Sequence, residues 1–190
     1  MARGRDQCRL GIVSALLALG LGACDRQVAD RGSAVPRPAP DRSPGHIVVL
    51  PDSAISAQRG STEDKLAAFL ASGDLPPRTF RFDGTQFVPW ASEPNPATLR
   101  TMYVMTQILR AYPHAQVTLV GYTDNDGTAE QNLLLARQRV ARLATILQHG
   151  GVRADRIRTE GRGATDFIAD NGTEAGRARN RRIELIVTAK

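Results

Sequence analysis

The sequence predicts one folded α/β domain, a two-layer α+β sandwich in which helices cover one face of a sheet. The chain has 190 residues, which suits a single domain preceded by a tail. Short apolar strands alternate with amphipathic helices in the order βαβαβ, and a final strand follows. Hydrophobic residues make up 42% of the chain and aromatic residues only 5%, so the core must consist mainly of Leu, Val, Ile and Ala.

The N-terminus has the pattern of an export signal. Three arginines within the first nine residues precede an apolar stretch that ends at Leu21. This stretch is about 12 residues long, whereas a membrane-spanning helix needs roughly 20. It closes in Leu-Gly-Ala-Cys, which resembles the lipobox of bacterial lipoproteins. We therefore predict a signal peptide over residues 1–23 and a lipid anchor on Cys24; the alternative is an ordinary secretory signal in which Cys24 is incidental.

A proline-rich segment follows over residues 24–45. It contains four prolines and almost no large apolar residues, so it cannot pack a core. Such a composition favours extended polyproline II, and at about 3.1 Å per residue the segment would reach roughly 60 Å. The sequence predicts a flexible tether, although a disordered remnant without a spacer role has the same composition.

Residues 46–77 are predicted to form a short N-terminal extension of unassigned role. Its first five residues, 46–50, form an apolar run that suits a strand. A short helix is predicted over residues 62–71, because Leu66, Phe69 and Leu70 recur at helical spacing and Gly73 ends the pattern.

The main body, residues 78–190, alternates strands and helices. A strand at 79–82 places Phe80 and Phe82 on one face. Asn95 caps a helix that begins at Pro96 and runs to Tyr112-Pro113. Its predicted apolar face is Leu99, Met102, Met105 and Leu109.

The second half of the body repeats this alternation. A strand over 115–122 leads through a polar loop to Thr128, which caps a long helix over 129–149 that Gly150 and Gly151 close. Leu133, Ala136, Val140, Leu143, Ala144 and Leu147 form its sheet-facing stripe. Two more strands are predicted over 156–160 and 182–188, with a loop over 161–176 between them.

Composition and motifs exclude several classes of function. The net charge is +6, and the first 23 residues supply two of these charges, so the modest remainder predicts no nucleic-acid partner. Both cysteines lie near the N-terminus, at positions 8 and 24, which leaves the body without a disulfide framework or a catalytic thiol. No hydrolase, zinc-protease or phosphate-loop motif is present. We therefore expect a non-enzymatic protein without a cofactor or a metal site.

One group of polar residues suggests a binding site. Thr123, Asp124 and Asn125 follow a predicted strand at the sheet edge where ligands of α/β folds tend to bind. Asn132 and Arg139 are two turns apart on the next helix, at the border of its apolar stripe. A carboxylate and a guanidinium so placed can grip the ammonium and carboxylate of an amino-acid centre. The same spacing also suits a plain Asp124–Arg139 ion pair.

Three separated motifs resemble those of the OmpA-like peptidoglycan-binding domain family, which includes peptidoglycan-associated lipoprotein and the flagellar stator protein MotB. They are Gly121-Tyr122-Thr123-Asp124, Asn132-x-x-Leu135-Ala136-x-x-Arg139, and Asn171-x-Thr173-x-x-Gly176-Arg177-x-x-Asn180-Arg181-Arg182-Ile183-Glu184. The resemblance implies a βαβαββ fold with a mixed sheet.

The resemblance also implies a ligand and its contacts. Members of the family bind the diaminopimelate of the peptidoglycan stem peptide, chiefly through residues that match Asp124 and Arg139. Further implied contacts are Thr123, Asn125, Asn132, Leu135, Phe82 and Asp83. Arg177, Asn180, Arg181 and Arg182 match a motif that serves either loop structure or the ligand. The chain departs from the usual family pattern at Tyr122, Ala136, Ala164 and Phe167. These departures concern the wall of the groove in which the family binds its ligand.

These observations predict a lipid-anchored envelope protein that ties the membrane to peptidoglycan. The two alternatives are an adaptor that positions envelope protein partners on the wall, and a periplasmic hydrolase using Asp124 or Asp126. The family resemblance points to the periplasmic face of the outer membrane. Asp25, directly after the predicted lipidated cysteine, resembles an inner-membrane retention signal.

Overall fold

A computed structural model of the chain describes residues 45–82, 87 and 91–190. The predicted signal peptide, the anchor at Cys24 and the tether up to residue 44 lie outside the described residues, and so does Asp83.

A mixed four-stranded sheet forms the centre of the described fold, as predicted. The strand order is β3-β6-β4-β5; β4 and β5 are parallel, and β6 runs antiparallel to both of its neighbours. The last strand of the chain therefore lies between β3 and β4. The strands are β3 (Arg78–Phe82), β4 (Gln116–Tyr122), β5 (Ile157–Gly163) and β6 (Ile183–Ala189).

Side-chain alternation along the strands creates one apolar and one polar face. Ile183, Leu185 and Val187 of β6 lie in the hydrophobic core, whereas Glu184 between them belongs to a buried ionic group on the opposite side. Helices pack against the apolar face and complete the second layer. They are α1 (Thr62–Ala71), α2 (Pro96–Ala111) and α3 (Ala129–His149). A fourth, short helix, α4 (Glu174–Asn180), contributes no residue to the hydrophobic core.

The predicted helix starts are confirmed by their capping contacts. The Asn95 side chain accepts a hydrogen bond from the backbone N–H of Thr98 at 2.8 Å. Thr128 and Gln131 form a reciprocal capping box at the start of α3. None of the helices in the described part of the chain is both long and apolar enough to cross a membrane.

Leu99 is not part of the buried face of α2, contrary to expectation. Its side chain is 43% exposed, whereas Thr98 beside it is 2% exposed. The buried stripe runs from Thr98 through Met102 and Met105. Thr98 can occupy this stripe because its hydroxyl is hydrogen-bonded to the Asn95 side chain at 3.1 Å.

The segment before the main body is folded into the same core. A strand β1 (Gly45–Val49), close to the predicted one, pairs antiparallel with β2 (Ala54–Gln58), which the sequence did not predict. Leu66 and Phe69 of α1 are buried in the core cluster.

The predicted loop over residues 161–176 is partly wrong. Strand β5 continues to Gly163, because a register shift at the end of β4 lets Tyr122 pair with Gly163. At its other end the segment enters α4, where the Thr173 side chain accepts a hydrogen bond from the Gly176 N–H at 3.0 Å. The α4 helix had no apolar stripe from which it could be predicted.

Candidate functional site

The loop that follows β4 is fixed between the ends of two other strands. The backbone N–H of Tyr122 donates to the Arg182 carbonyl at 3.0 Å, and that of Thr123 donates to the Gly163 carbonyl at 2.9 Å. Both Thr123 and Asp124 are buried, at 1% and 5% exposure, and Asn125 beyond them is exposed. The backbone of the sheet therefore positions the carboxylate of Asp124.

Helix α3 brings Asn132 and Arg139 to this loop on one buried face, as predicted. The side-chain amide of Asn132 donates to the Asp126 carbonyl at 2.7 Å and so connects the loop to the helix. The oxygen of this amide, Oδ1, is buried and has no hydrogen-bond partner among the residues that the structure describes. Leu135 lies half-buried between the two polar residues along the helix.

Arg139 is a buried cation, 4% exposed. Its Nε donates to the Ala91 carbonyl at 3.0 Å, and its guanidinium lies 4.8 Å from the centre of the Phe87 ring. Burial lowers its pKa to about 10; the charge of Asp124 opposes this shift and that of Arg181 adds to it. Arg139 makes no ion pair with any other residue that the structure describes.

The Asp124 carboxylate is paired with Arg181, so the Asp124–Arg139 ion pair considered from the sequence is not found. The distance from Arg181 Nη1 to Asp124 Oδ2 is 2.7 Å. The other terminal nitrogen of Arg181 is 2.6 Å from Glu174 Oε1. Arg177 binds the second oxygen of the same glutamate at 2.8 Å. The ionic chain therefore runs from the loop of the site into α4.

Asn180 connects α4 to the loop before it. The residue is fully buried, and its side-chain oxygen accepts from the backbone N–H groups of Ile168 and Ala169 at 2.9 and 3.1 Å. Its amide donates to the Ala169 carbonyl and to the Asn171 side chain, each at 2.9 Å. These contacts give Asn180 a role in loop structure, one of the two roles that the sequence left open.

Arg182 supports the site from the polar face of the sheet. Its guanidinium stacks 3.6 Å from the centre of the Tyr122 ring and donates through Nε to Glu184 at 2.9 Å. Arg81 binds the same oxygen of Glu184 at 3.2 Å. Burial, with a smaller contribution from Glu184, raises the pKa of Tyr122. This group holds together the end of β4 and the start of β6.

The structure brings together Thr123, Asp124, Asn132 and Arg139 of the predicted site residues. Phe82 is buried in the hydrophobic core at 4% exposure. Sequence reasoning missed the cation–π contact of Phe87 and the pairing of Arg181 with Asp124. The sequence motif around Asn180 and Arg181 was the signal that could have indicated the pairing of Arg181 with Asp124.

No cluster of three or more His, Cys, Asp or Glu side chains placed to hold a metal ion is found within the described ranges.

Comparison with curated proteins identifies relatives that are named as a probable lipoprotein and as a peptidoglycan-binding protein. The chain is 40% identical over 93 residues to "Probable lipoprotein YiaD" of Escherichia coli (strain K12), covering 49% of this chain and 42% of YiaD. It is 39% identical over 111 residues to "Peptidoglycan-binding protein ArfA" of Mycobacterium tuberculosis (strain ATCC 25618 / H37Rv), covering 58% of this chain and 32% of ArfA. The chain thus spans less than half the length of these two relatives.

Solved structures share the fold. The peptidoglycan-associated lipoprotein from Burkholderia pseudomallei is 25% identical with a TM-score of 0.52, over 55% of this chain and 89% of that one. The cell wall anchor of the T6SS from Pseudomonas aeruginosa is 30% identical with a TM-score of 0.50, over 59% of this chain and 80% of that one.

A model of the OmpA family matches residues 79–181, which are more than half of the chain. The match includes all but the first residue of β3, the loop after β4, α3 and α4, and so contains Arg139 and the whole ionic chain from Asp124 to Arg177. The protein therefore belongs to the OmpA family.

Proposed function

We propose that this protein is a lipid-anchored envelope protein that binds peptidoglycan non-covalently and links a membrane to the cell wall. The ligand is the diaminopimelate of the stem peptide, held at the Asp124–Arg139 site. The observation that carries the proposal is the state of Arg139, a buried guanidinium with no ion-pair partner among the described residues. A buried unpaired charge is costly, and a ligand carboxylate would compensate it.

The remaining groups of the site suit the other half of an amino-acid centre. An ammonium group seeks a carboxylate and further hydrogen-bond acceptors. The buried carboxylate of Asp124 and the Oδ1 of Asn132, which has no partner within the described ranges, offer both beside Arg139. Thr123 lies at the same loop, with its hydroxyl donating to the Asp124 carbonyl at 2.9 Å. We include Asn125, Leu135, Phe82 and Asp83 in the proposed site on the family resemblance alone.

The names of the relatives support the same function. One relative is called a peptidoglycan-binding protein, one a probable lipoprotein, and a structural neighbour is a peptidoglycan-associated lipoprotein.

We infer that Cys24 carries the lipid and that the tether lets the domain reach the wall. We place the anchor in the outer membrane; membrane fractionation of wild type and Asp25→Ser tests this. Recovery of wild type with the inner membrane, shifted outward by the substitution, would contradict this location.

The test of the site is a double-mutant cycle with Asp124→Ala and Arg139→Ala. Affinity of the full chain in mild detergent for a diaminopimelate-containing peptide is measured together with thermal stability. Each single variant should lose on the order of 2 to 5 kcal/mol of binding, which is roughly 30-fold or more, with little change in Tm. The double variant should bind scarcely worse than either single one, because a zwitterion held at one end keeps little orientation.

Arg142→Ala is the matched control. Arg142 lies on the same helix, but its side chain is 47% exposed and pairs with Glu93 at 3.2 Å. The Arg142→Ala variant should bind the diaminopimelate-containing peptide with the affinity of wild type. Normal affinity in both site variants, or a loss explained entirely by unfolding, would remove Asp124 and Arg139 from the site.

An adaptor role is the second candidate, and the similarity to the T6SS cell wall anchor favours it. In that role the wall-binding domain would position a protein assembly. Co-purification of a protein partner that persists after enzymatic removal of the wall would support the adaptor role.

A hydrolase role for Asp124 fits poorly, since Arg181 holds the Asp124 carboxylate in an ion pair. Release of soluble fragments from purified sacculi by the purified protein would overturn this judgement.

A further inference from the structure

A cavity of about 280 Å³ lies at the end of the sheet where the parallel strands β4 and β5 begin. It is lined by three arginines, one aspartate and two turn residues: Arg110, Arg153, Arg156, Asp52, Pro113 and Gly151. Arg156 directly precedes β5, and it binds the carbonyl of Ala115, which directly precedes β4. Asp124 follows the opposite end of β4, so the cavity is separate from the proposed wall-binding site.

Arg156 is the fixed cation of the cavity. The residue is 6% exposed, and its Nε and Nη2 donate to the backbone carbonyls of Ala115, Leu109 and Tyr112, each at 2.8 Å. These three bonds hold the guanidinium in place before a ligand arrives and do not use Nη1. Burial, the largest cause, lowers the pKa of Arg156. Arg156 makes no ion pair with a residue that the structure describes, so its charge lacks a counter-charge there.

The remaining charges of the cavity fall into two groups. Arg153 is held by Asp155, with its Nε 3.1 Å from Oδ1 and its Nη2 3.0 Å from Oδ2, so these two charges offset each other. Arg110 in the last turn of α2 and Asp52 between β1 and β2 form no ion pair within the described ranges. The lining therefore offers two uncompensated guanidinium groups, those of Arg110 and Arg156, and one uncompensated carboxylate.

This combination of charges suits a small zwitterion that carries a phosphate and an ammonium group. Guanidinium groups bind phosphate oxygens through paired N–H donors, and an ammonium group donates to a carboxylate. A phosphate alone would bring negative charge close to Asp52, whereas an ammonium group on the same ligand would neutralise that carboxylate. Small-molecule sites usually occupy roughly 300 to 1,000 Å³. A cavity of about 280 Å³ therefore suits a ligand as small as phosphoethanolamine.

We propose that this cavity binds a phosphoethanolamine group, with the phosphate at Arg110 and Arg156 and the ammonium at Asp52. The group occurs both as the headgroup of a membrane phospholipid and in soluble phosphodiesters, and its chemistry is the same in each. The inference goes beyond the proposed function, because it needs neither the wall nor the site at Asp124. In a chain anchored to a membrane, the tether would keep lipid headgroups at a high effective concentration, so that even a weak site is occupied.

The experiment compares two soluble phosphodiesters, glycerophosphoethanolamine and glycerophosphoglycerol, at constant pH and ionic strength. They share the phosphate and differ in whether an ammonium group or neutral hydroxyls accompany it. NMR titration of the full chain in mild detergent follows the Nε–H signal of Arg156, which is held by its bond to Ala115. Wild type should bind glycerophosphoethanolamine about tenfold more tightly, as expected for one additional contact between charged groups.

Three variants at exposed positions assign the contacts. Arg110→Gln should weaken the binding of both probes about tenfold, because both carry the phosphate. Asp52→Asn should abolish the preference, so that the two dissociation constants become equal. Arg100→Gln is the matched control, since Arg100 lies on the same helix as Arg110 but outside the cavity lining, and it should bind like wild type. The Tm of each variant confirms that it is folded.

A second arm identifies the source of the group. The full chain is placed in phosphatidylcholine nanodiscs that contain or lack phosphatidylethanolamine, and the Arg156 signal is recorded. A shift that matches the shift caused by glycerophosphoethanolamine would assign the site to lipid headgroups. A signal that moves only with the soluble probe would assign the site to a soluble phosphodiester.

Three results would overturn the proposal. They are equal affinity of wild type for the two probes, an affinity that Arg110→Gln leaves unchanged, and an Arg156 signal that shows no saturable shift with either probe. Binding of the diaminopimelate-containing peptide is measured separately, and Arg110→Gln and Asp52→Asn should leave it unchanged. A failure at the cavity therefore leaves the proposed function intact, and a failure of wall binding leaves the cavity site intact.

Discussion

Gly161 of β5 lies directly against the backbone of Arg137 in α3. A Cβ atom added at Gly161 would come within 2.6 Å of the Arg137 backbone nitrogen and 2.9 Å of its Cα. Real Cβ atoms do not approach backbone so closely, and a helix backbone cannot yield as a flexible side chain can. The close approach sets how deeply α3, which carries Asn132 and Arg139, sits on the sheet.

Gly161→Ala should therefore destabilise the fold through overpacking between β5 and α3. We expect a loss of about 1 to 3 kcal/mol in the free energy of unfolding, measured by urea denaturation. Gly73→Ala is the control, because an added Cβ there meets no atom within 4 Å. Equal stability of the two variants would contradict the close packing.

Asn180→Ala should destabilise the loop before α4. The substitution removes four hydrogen bonds from a fully buried side chain and leaves the backbone groups of Ile168 and Ala169 without these partners. A buried group left unsatisfied costs about 1 to 3 kcal/mol. Because Ile168 and Ala169 are half-buried, the free energy of unfolding should fall by about 1 kcal/mol or more. Hydrogen exchange should quicken at Ile168 and Ala169 in particular; protection equal to that of exposed-site variant Arg179→Ala would refute this role.

Arg139→Gln should change how stability depends on pH. Burial, the largest cause, lowers the pKa of Arg139 from 12.5 to about 10, so the folded protein releases this proton at lower pH than the unfolded chain does. Between these two values the unfolded state binds more protons, and the contribution of Arg139 to stability rises with pH. The contribution is fully present above the unfolded pKa and is lost as the pH falls through about 10.

The measurable quantity is the unfolding free energy of wild type minus that of Arg139→Gln. It should increase by about 1 kcal/mol from about pH 9 to about pH 11. The same difference taken with the exposed Arg142→Gln should stay flat. A difference that decreases with pH would show that the guanidinium is stabilised by its surroundings in the folded state.

Cys24→Ser should abolish lipid attachment. The hydroxyl of serine cannot form the thioether bond that the predicted modification requires, so the variant should be soluble or remain as an uncleaved precursor. Metabolic labelling with a fatty acid measures the modification directly. Equal labelling of wild type and variant would show that another residue carries the lipid.

The parts of the fold that could be predicted have local causes. Asn95-Pro96 and Thr128 determine helix starts through contacts within one turn, and the stripe from Ala136 to Leu147 follows from helical periodicity alone. Strand β2 was missed because Ala, Ser and Gln have little β-propensity, and the strand depends on pairing with β1 and on the burial of Ile55. Helix α4 depends on the Thr173 cap and on the contacts of Asn180 rather than on an apolar face.

The candidate site also combines features that local sequence predicts with contacts that only the tertiary fold creates. Asn132 and Arg139 could be placed together because they share one helix face. The partner of Asp124 could not be found from spacing, since Arg181 is 57 positions away and meets it only after β6 enters the sheet between β3 and β4. The sequence suggested one carboxylate and one guanidinium; the structure adds a second guanidinium and the glutamate that orients it.

The hairpin of β1 and β2 has a mechanical consequence if the chain before it is attached to a membrane. Gly45 and Gln58 are paired at the open end of the ladder, so tension would enter at one and leave toward α1 from the other. Such a pull unzips the pairs one after another instead of shearing them together. Among the hairpin residues, Leu50 and Ile55 belong to the core cluster and Val48 packs against it, so few core contacts resist the opening. The opened hairpin would lengthen the connection by roughly 45 Å at about 3.3 Å per residue. If the domain is also bound to the wall, a sudden displacement would be taken up by this ribbon, and the tension on the sheet would not exceed the unzipping force of the hairpin until the ribbon was fully extended.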